Sequence, residues 1–290
     1  LNWDLFVIQI VNGLQMGMVL ALVACGLTLI FGIMDVVNFA HGELYMLGAY
    51  IAYYAIILLG NFWVALAVAM VLVFFIGVLM YQGTIRPILG RDPLYTLLAT
   101  FGVSLVLQQL ALWLFGPIAK GMDAPISYRF NLLGFDYPFY RIMVAMISGA
   151  IILGLITFLR KTRYGLWIRA TTQDGEMAGA MGIPVPVVLT MVFGLGSALA
   201  AVSGVLVGPL YGGIAATMGL DIILYAFIVV VIGGMGSLKG SIVAGIFIGE
   251  LESISSVWVN PTQAKILSFV ALIVIFLVRP AGIFAQQGKQ

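Results

Sequence analysis

The chain has 290 residues, of which 63% are hydrophobic and 8% charged, with a mean hydropathy of +1.16 and a formal net charge of +2. Soluble domains carry roughly 25% charged residues, so this composition excludes a water-facing globular surface, and the small net charge gives no basis for binding nucleic acid. What remains is a polytopic membrane protein, and the apolar runs lack the alternating polarity of transmembrane β-strands, so the class is all-α.

In chain order the runs read as about nine membrane spans, near residues 5–31, 40–59, 62–82, 94–115, 139–159, 185–208, 221–235, 240–258 and 264–279. The last few are short and glycine-broken, so a bundle of about 8–10 transmembrane helices is expected. The first run starts without a basic lead, unlike a cleavable signal. Its single Cys25 can form no intramolecular disulfide and reads as a small buried hydrophobe.

Polar residues then collect between the first and second runs: Asp35, Asn38, the lone His41 and Glu43. Ionisable residues inside a membrane are functional suspects, and three readings stand. In a local one, Asn38 and Glu43 satisfy backbone N–H groups freed at a helix start, and Glu43 or Asp35 accepts a bond from His41. In a second the group is a gate at the cytoplasmic end of a pathway, and in a third it holds a metal. The fourth run contains Gln108 and Gln109, buried amides that need partners, either as pathway lining or as an interhelical bond.

The segment 116–138 is too short for a core of its own. By contrast, 160–184 has the makings of one or two short amphipathic helices. Arg160, Lys161, Arg163 and Arg169 anchor it to an anionic membrane surface. Thr171 and Thr172 would cap a short helix, Asp174 and Glu176 complement its N-terminal dipole, and Gly182 with Pro184 would stop it. Met177, Ala178, Ala180 and Met181 would leave small or flexible apolar knobs exposed, which suits a docking element.

Glycine has a spacing. Gly13, Gly17, Ala21 and Cys25 fall four apart, as do Gly196, Ala200, Gly204 and Gly208, and Gly236, Gly240 and Ala244 followed by Gly245 and Gly249. Small residues on one ridge let helices approach closely in lipid, within the bundle or between two chains. Gly233, Gly234, Gly236 and Gly240, with Ser237 and Lys239, interrupt an apolar run. Broken helices of this kind point to the pathway of transporters. The stretch around Asp35 is built similarly, so the two form a possible internal repeat. Glu250, Glu252 and Asp221 make an acidic rim, suited to ordinary solvation or to attracting an ammonium group or a basic partner.

Threading the spans alternately puts nine basic residues on one side (Arg86, Arg91, Arg160, Lys161, Arg163, Arg169, Lys239, Arg279 and Lys289) against Lys120, Arg129, Arg141 and Lys265 on the other. The positive-inside rule then places the N-terminus outside and the C-terminus in the cytoplasm. Residues 1–290 form a single transmembrane domain, and no segment is long enough for an ATPase or a receptor module.

Five stretches carry a resemblance: "NFAHGELYMLGAY", "RDPLYTLLATFGVSLVLQQ", "TRYGLWIRATTQDGEMAGAMGI", "FGLGSALAAVSGVL" and "VVVIGGMGSLKGSIVAGIFIGELES". Together, from about Gly13 to Phe284 and in order, they resemble the permease subunit of branched-chain amino acid ABC importers. Relatives that carry urea or short amides share most of these motifs. Permeases of this kind have a cytoplasmic loop that begins Glu-Ala-Ala with a glycine a few residues later. Here it reads Glu176, Met177, Ala178 and then Gly182, with Met in place of the first Ala. The resemblance implies a bacterial inner-membrane pathway for branched-chain amino acids and a cytoplasmic coupling helix at Asp174, Glu176, Ala178 and Gly182. It also implies partners: a second permease chain, usually a different one, two ATPase subunits that bind the ATP, and a periplasmic binding protein. No cofactor is expected in this chain. A competing class is an intramembrane enzyme or proton-driven carrier with His41 and Glu43 as acid and base. It lacks a second histidine and any H-E-x-x-H spacing.

Overall fold

The computed structural model describes residues 3–132, 134–279 and 282–284; Lys289 of the basic count lies outside them. The helices are α1 (Trp3–Met34), α2 (His41–Leu59), α3 (Phe62–Met80), α4 (Pro93–Phe115), α5 (Phe139–Lys161), α6 (Arg163–Gln173), α7 (Gly175–Ala180), α8 (Val185–Val207), α9 (Met218–Gly233), α10 (Leu238–Ser255) and α11 (Pro261–Val278). Their starts are written in the sequence. Asn61 accepts from Trp63 N and Val64 N ahead of α3, and Asp92 accepts from Leu94 N with Pro93 at the first position of α4. Asn260 and Gln263 form a reciprocal capping box around Pro261 at α11. Gly60, at φ +65°, turns the chain between α2 and α3.

Among the described residues, seven helices are long and apolar enough to cross a membrane. An eighth unit is the pair α9–α10, which bends by 120° at a short break. Counted as two arms, the pair restores the nine expected runs. The class is all-α, with one addition inside the segment 116–138. There β1 (Arg129–Leu132) and β2 (Phe135–Pro138) form an antiparallel hairpin, and Lys120 bridges to Ile214.

The core is built around α1, which is buried all round from Val19 to Ile30. It packs most heavily on α10, then on α8, α5 and α9. The glycine ridges are the contact surfaces. A Cβ on Gly17 would fall 2.7 Å from Ile246 Cα, and one on Gly245 would fall 2.8 Å from Ala21 Cα. On the next face of α1, Gly196 of α8 meets the carbonyl of Gly26, while Gly204 meets that of Tyr45 in α2. With no hydrophobic exclusion to drive association in lipid, such backbone-to-backbone contact is what binds helices. Thr28 and Ser241, 2.5 Å apart, add a hydrogen bond across the α1–α10 seam. The periphery differs: α4 packs on α2 and on the π-helical turn Tyr81–Ile85 that extends α3, and α11 buries only Ala264 and Ser268.

Candidate pathway gate and coupling segment

The chain from Asp35 to Ala40 does not run along the end of the bundle as expected; it turns back into it. Asp35 takes φ +52°, a left-handed conformation that Asp tolerates better than most residues, and its N–H bonds to Phe31 O at 2.9 Å. By the first residue of α2 the chain is level with Val23, because His41 Nε2 donates to the Val23 carbonyl at 3.1 Å. That point is about 16 Å from the C-terminal end of α1 at 1.5 Å per residue. So α2 begins deep inside the bundle, and its polar start is fully buried: Asn38, His41 and Glu43 all have 0% exposure.

Backbone groups freed at that depth must find partners in the protein. Asn38 Oδ1 accepts from Ala40 N at 3.1 Å, as the local reading expected. Thr100 of α4 meets the rest: its hydroxyl accepts from Phe39 N at 3.3 Å and lies 3.2 Å from the Val37 carbonyl. The expected bond from His41 to Glu43 or Asp35 does not form. A carbonyl can only accept, so the bond to Val23 makes Nε2 the protonated nitrogen, and Nδ1 has no hydrogen-bond partner among the described residues. Positions 41 and 43 lie on different faces of one helix, so His41 looks to α1 while Glu43 looks to α4 and α9. Nor does Glu43 meet a backbone N–H. Its Oε1 accepts from Ser104 Oγ at 3.2 Å, and Oε2 has no donor among the described residues.

The side of Glu43 away from α4 rests on the start of α9. A Cβ on Gly219 would lie 2.6 Å from Glu43 Oε2, and one on Gly42 would run into the Gly219 carbonyl. The first turn of α9 has no side-chain cap at Thr217. A carboxylate against this positive helix end is favourable, and it offsets part of the roughly 1–3 kcal/mol cost of an acceptor without a donor. No group of three or more His, Cys, Asp or Glu that could hold a metal occurs among the described residues.

Thr100 and Ser104 were missed in the sequence, though a signal was there. Thr96, Thr100, Ser104 and Gln108 recur every fourth residue in an otherwise apolar span, and they are its buried stripe together with Ala111. Gln108 therefore faces the bundle interior. Gln109 is exposed on the outer face of α4 and does not join it.

The broken run has a different solution. Gly234 and Gly236 take φ +95° and +82°. Gly233 and Gly240 touch backbone to backbone across the elbow, where a side chain on either would strike the other. The carbonyls freed at the end of α9 are taken by the chain beyond α11: Ile283 N donates to Ile232 O at 2.9 Å and Phe284 N to Gly233 O at 3.2 Å. Gly236 approaches Gly32, so this elbow lies beside the C-terminal end of α1.

At the same end, 160–184 forms two helices. Thr162 caps α6 by accepting from Gly165 N at 3.0 Å. Thr171 and Thr172, expected as the caps, are not: they lie in the last turns of α6, where Thr172 donates to Ile168 O. The cap of α7 is Asp174, whose Oδ1 accepts from Met177 N at 2.9 Å. Gly182, at φ +82°, closes the other end, with Gly182 N and Ile183 N bonded to Gly179 O and Ala178 O. Ala178 is buried, and Glu176, Met177, Ala180 and Met181 are exposed.

A sequence-family model described as "Branched-chain amino acid transport system / permease component" matches residues 9–278. The chain belongs to this permease family. It is 32% identical to the high-affinity branched-chain amino acid transport system permease protein LivH of Salmonella typhimurium, over 97% of this chain and 96% of the relative. It is 30% identical to BraD of Pseudomonas aeruginosa, a permease protein of the same description, over 96% and 95%. A probable LivH of Methanocaldococcus jannaschii is 26% identical over 93% and 90%. No solved structure matches. This permease is thus a component of a transport system and not an enzyme.

Proposed function

We propose that this permease forms the translocation pathway of an ABC importer for branched-chain amino acids in a bacterial inner membrane, its N-terminus outside and its C-terminus in the cytoplasm. It would work with a second permease chain, two ATPase subunits that bind ATP, and a periplasmic binding protein. The observation that carries this reading is the family match over residues 9–278, and the exposed helix α7 supplies the element such an importer needs for coupling. Asp174, Glu176, Ala178 and Gly182 set the shape and charge of that docking element. ATP-driven closure of the ATPase pair would push α7 and, through its contact with α8, move the bundle as a rigid body.

The gate in this reading is the buried start of α2. Asn38 closes that start locally, His41 ties it to α1 and Glu43 rests on α4 and α9, so parting α4 from the start of α2 breaks the bonds through Thr100 and Ser104 and opens a polar line along Thr100, Ser104 and Gln108. The elbow Gly233, Gly234, Gly236 and Gly240 would bend as the latch opens, and Gln109 would face the second permease chain. The deciding experiment is uptake of radiolabelled leucine, and of urea for comparison, into proteoliposomes containing the complex purified with its partners. Leucine uptake that requires ATP inside and binding protein outside is expected. Uptake driven by a proton gradient without ATPase subunits, or uptake of urea in place of leucine, would refute it.

A further inference from the structure

At the end of the bundle opposite α7, five helix ends enclose a cavity of about 380 Å³, within the range of small-molecule pockets. Its walls come from residues 9–16 of α1, from the first turns of α5 and α11, from the residues just after α8, and from the last turns of α10. Two lining groups carry opposite charge. Arg141 at the start of α5 gives one N–H to Asn12 Oδ1 at 2.9 Å, an acceptor it shares with Tyr137 Oη at 2.8 Å. Glu252 receives Tyr225 Oη on Oε1 at 3.4 Å, and its Oε2 has no hydrogen-bond donor among the described residues. No ion pair joins either residue to another side chain among the described residues. Lys265 lies 6.0 Å from the Tyr225 ring, and Glu250 is turned toward Gly13 of α1. Met16, Leu210 and Ala264 give the cavity an apolar wall.

We infer that this cavity is a binding site for an aliphatic α-amino acid, its carboxylate on Arg141, its ammonium on Glu252 and its side chain against Met16 and Leu210. A guanidinium presents paired donors that match a carboxylate. An ammonium supplies the donor that Glu252 lacks. The cavity has both charges and an apolar wall in one place, a combination that water alone does not require. The site deepens the proposed function and rests on it: on the outer face of an importer it is where a substrate released by a binding protein is first held.

The test uses the assembled complex in nanodiscs of phosphatidylglycerol, a lipid without the ammonium group that would let its headgroup compete. Saturation-transfer NMR, without binding protein, compares L-leucine with leucinamide, which lacks the carboxylate, and 4-methylpentanoate, which lacks the ammonium. The native complex is expected to bind leucine at least tenfold more tightly than either analogue. Glu252→Gln keeps an acceptor for Tyr225 and should collapse the preference over 4-methylpentanoate alone. Arg141→Gln should collapse the preference over leucinamide alone. A structural role would weaken all three ligands together, and that result, or no saturable leucine binding by the native complex, overturns the site. If the native complex imports leucine but fails this test, the site falls and the function stands. If it passes but imports no leucine, the site stands and the function falls.

Discussion

The coupling role proposed for α7 predicts what happens when its two ends are weakened together. The helix has six residues and buries only Ala178, so neither length nor packing holds it. Its order depends on the Asp174 cap and on the left-handed turn at Gly182. Removing the cap with Asp174→Ala costs about 1 kcal/mol. At Gly182 a Cβ would meet nothing within 4 Å, but φ is +82°, so Gly182→Ala adds no clash and costs only the left-handed penalty of roughly 1–2 kcal/mol. Together the changes amount to about 2–3 kcal/mol, a reduction of roughly 30- to 150-fold in the ordered population. The double variant should therefore lose at least tenfold in ATP-driven leucine uptake per assembled complex in proteoliposomes, with membrane content unchanged. Asp174→Ser/Gly182→Asn keeps a capping oxygen and a residue that accepts the left-handed turn, and should transport close to the native rate. Native uptake by the Ala/Ala variant, at equal assembly, would refute the assignment of α7 to coupling.

Three further outcomes are expected. Ser104→Ala removes the donor to Glu43 Oε1 and should cost roughly 1–3 kcal/mol, seen as a lower melting temperature of the purified complex, whereas Ser104→Thr keeps the hydroxyl and most of the stability. Gly204→Ala would drive a methyl into the Tyr45 carbonyl, while Gly102→Ala meets nothing within 4 Å; quantitative purification should show less assembled complex for the first and a native amount for the second. In a Cys25→Ala background, a cysteine at Gln173 should be shielded from an impermeant thiol reagent in intact cells and one at Asp123 labelled; labelling at Gln173 would invert the proposed orientation.

Much of the fold was legible because its determinants are local. Hydropathy located every membrane helix to within a few residues, and four-residue spacing picked out the glycines that meet between α1, α10 and α8. The short helix proposed for coupling was legible in position but not in its cap: Thr171 and Thr172 are capping residue types as Asp174 is, and only the end of α6 decides between them. The polar start of α2 was harder. Neighbours in sequence suggested a cluster at the end of the bundle, yet His41 and Glu43 point to different helices from a point far inside it. No local pattern reports how deep a non-helical stretch enters a membrane. The partners of that stretch, Thr100 and Ser104, are about sixty residues away in the chain. Their spacing was visible, but nothing local says that a polar stripe on α4 faces the start of α2.

The packing also decides how a push at one end can reach the other. In the proposed mechanism a displacement of α7 passes to α6 and α8, which it touches, and to α8 also through the turn at Gly182. Along its length α8 is in backbone contact with α1 at Gly26 and with α2 at Tyr45 and Gly48, and Gly77 of α3 seats on Ser197. Contacts of this kind have no slack, since there is no flexible side chain between the helices to absorb movement. In the proposed mechanism α8 would therefore carry α1, α2 and α3 with it. Helix α4 lies outside that block; it touches α2 and the turn after α3 and meets the start of α2 through Thr100 and Ser104. A rigid motion of the α8 block would load those few hydrogen bonds. In the proposed mechanism these bonds are the joint that yields between that block and α4.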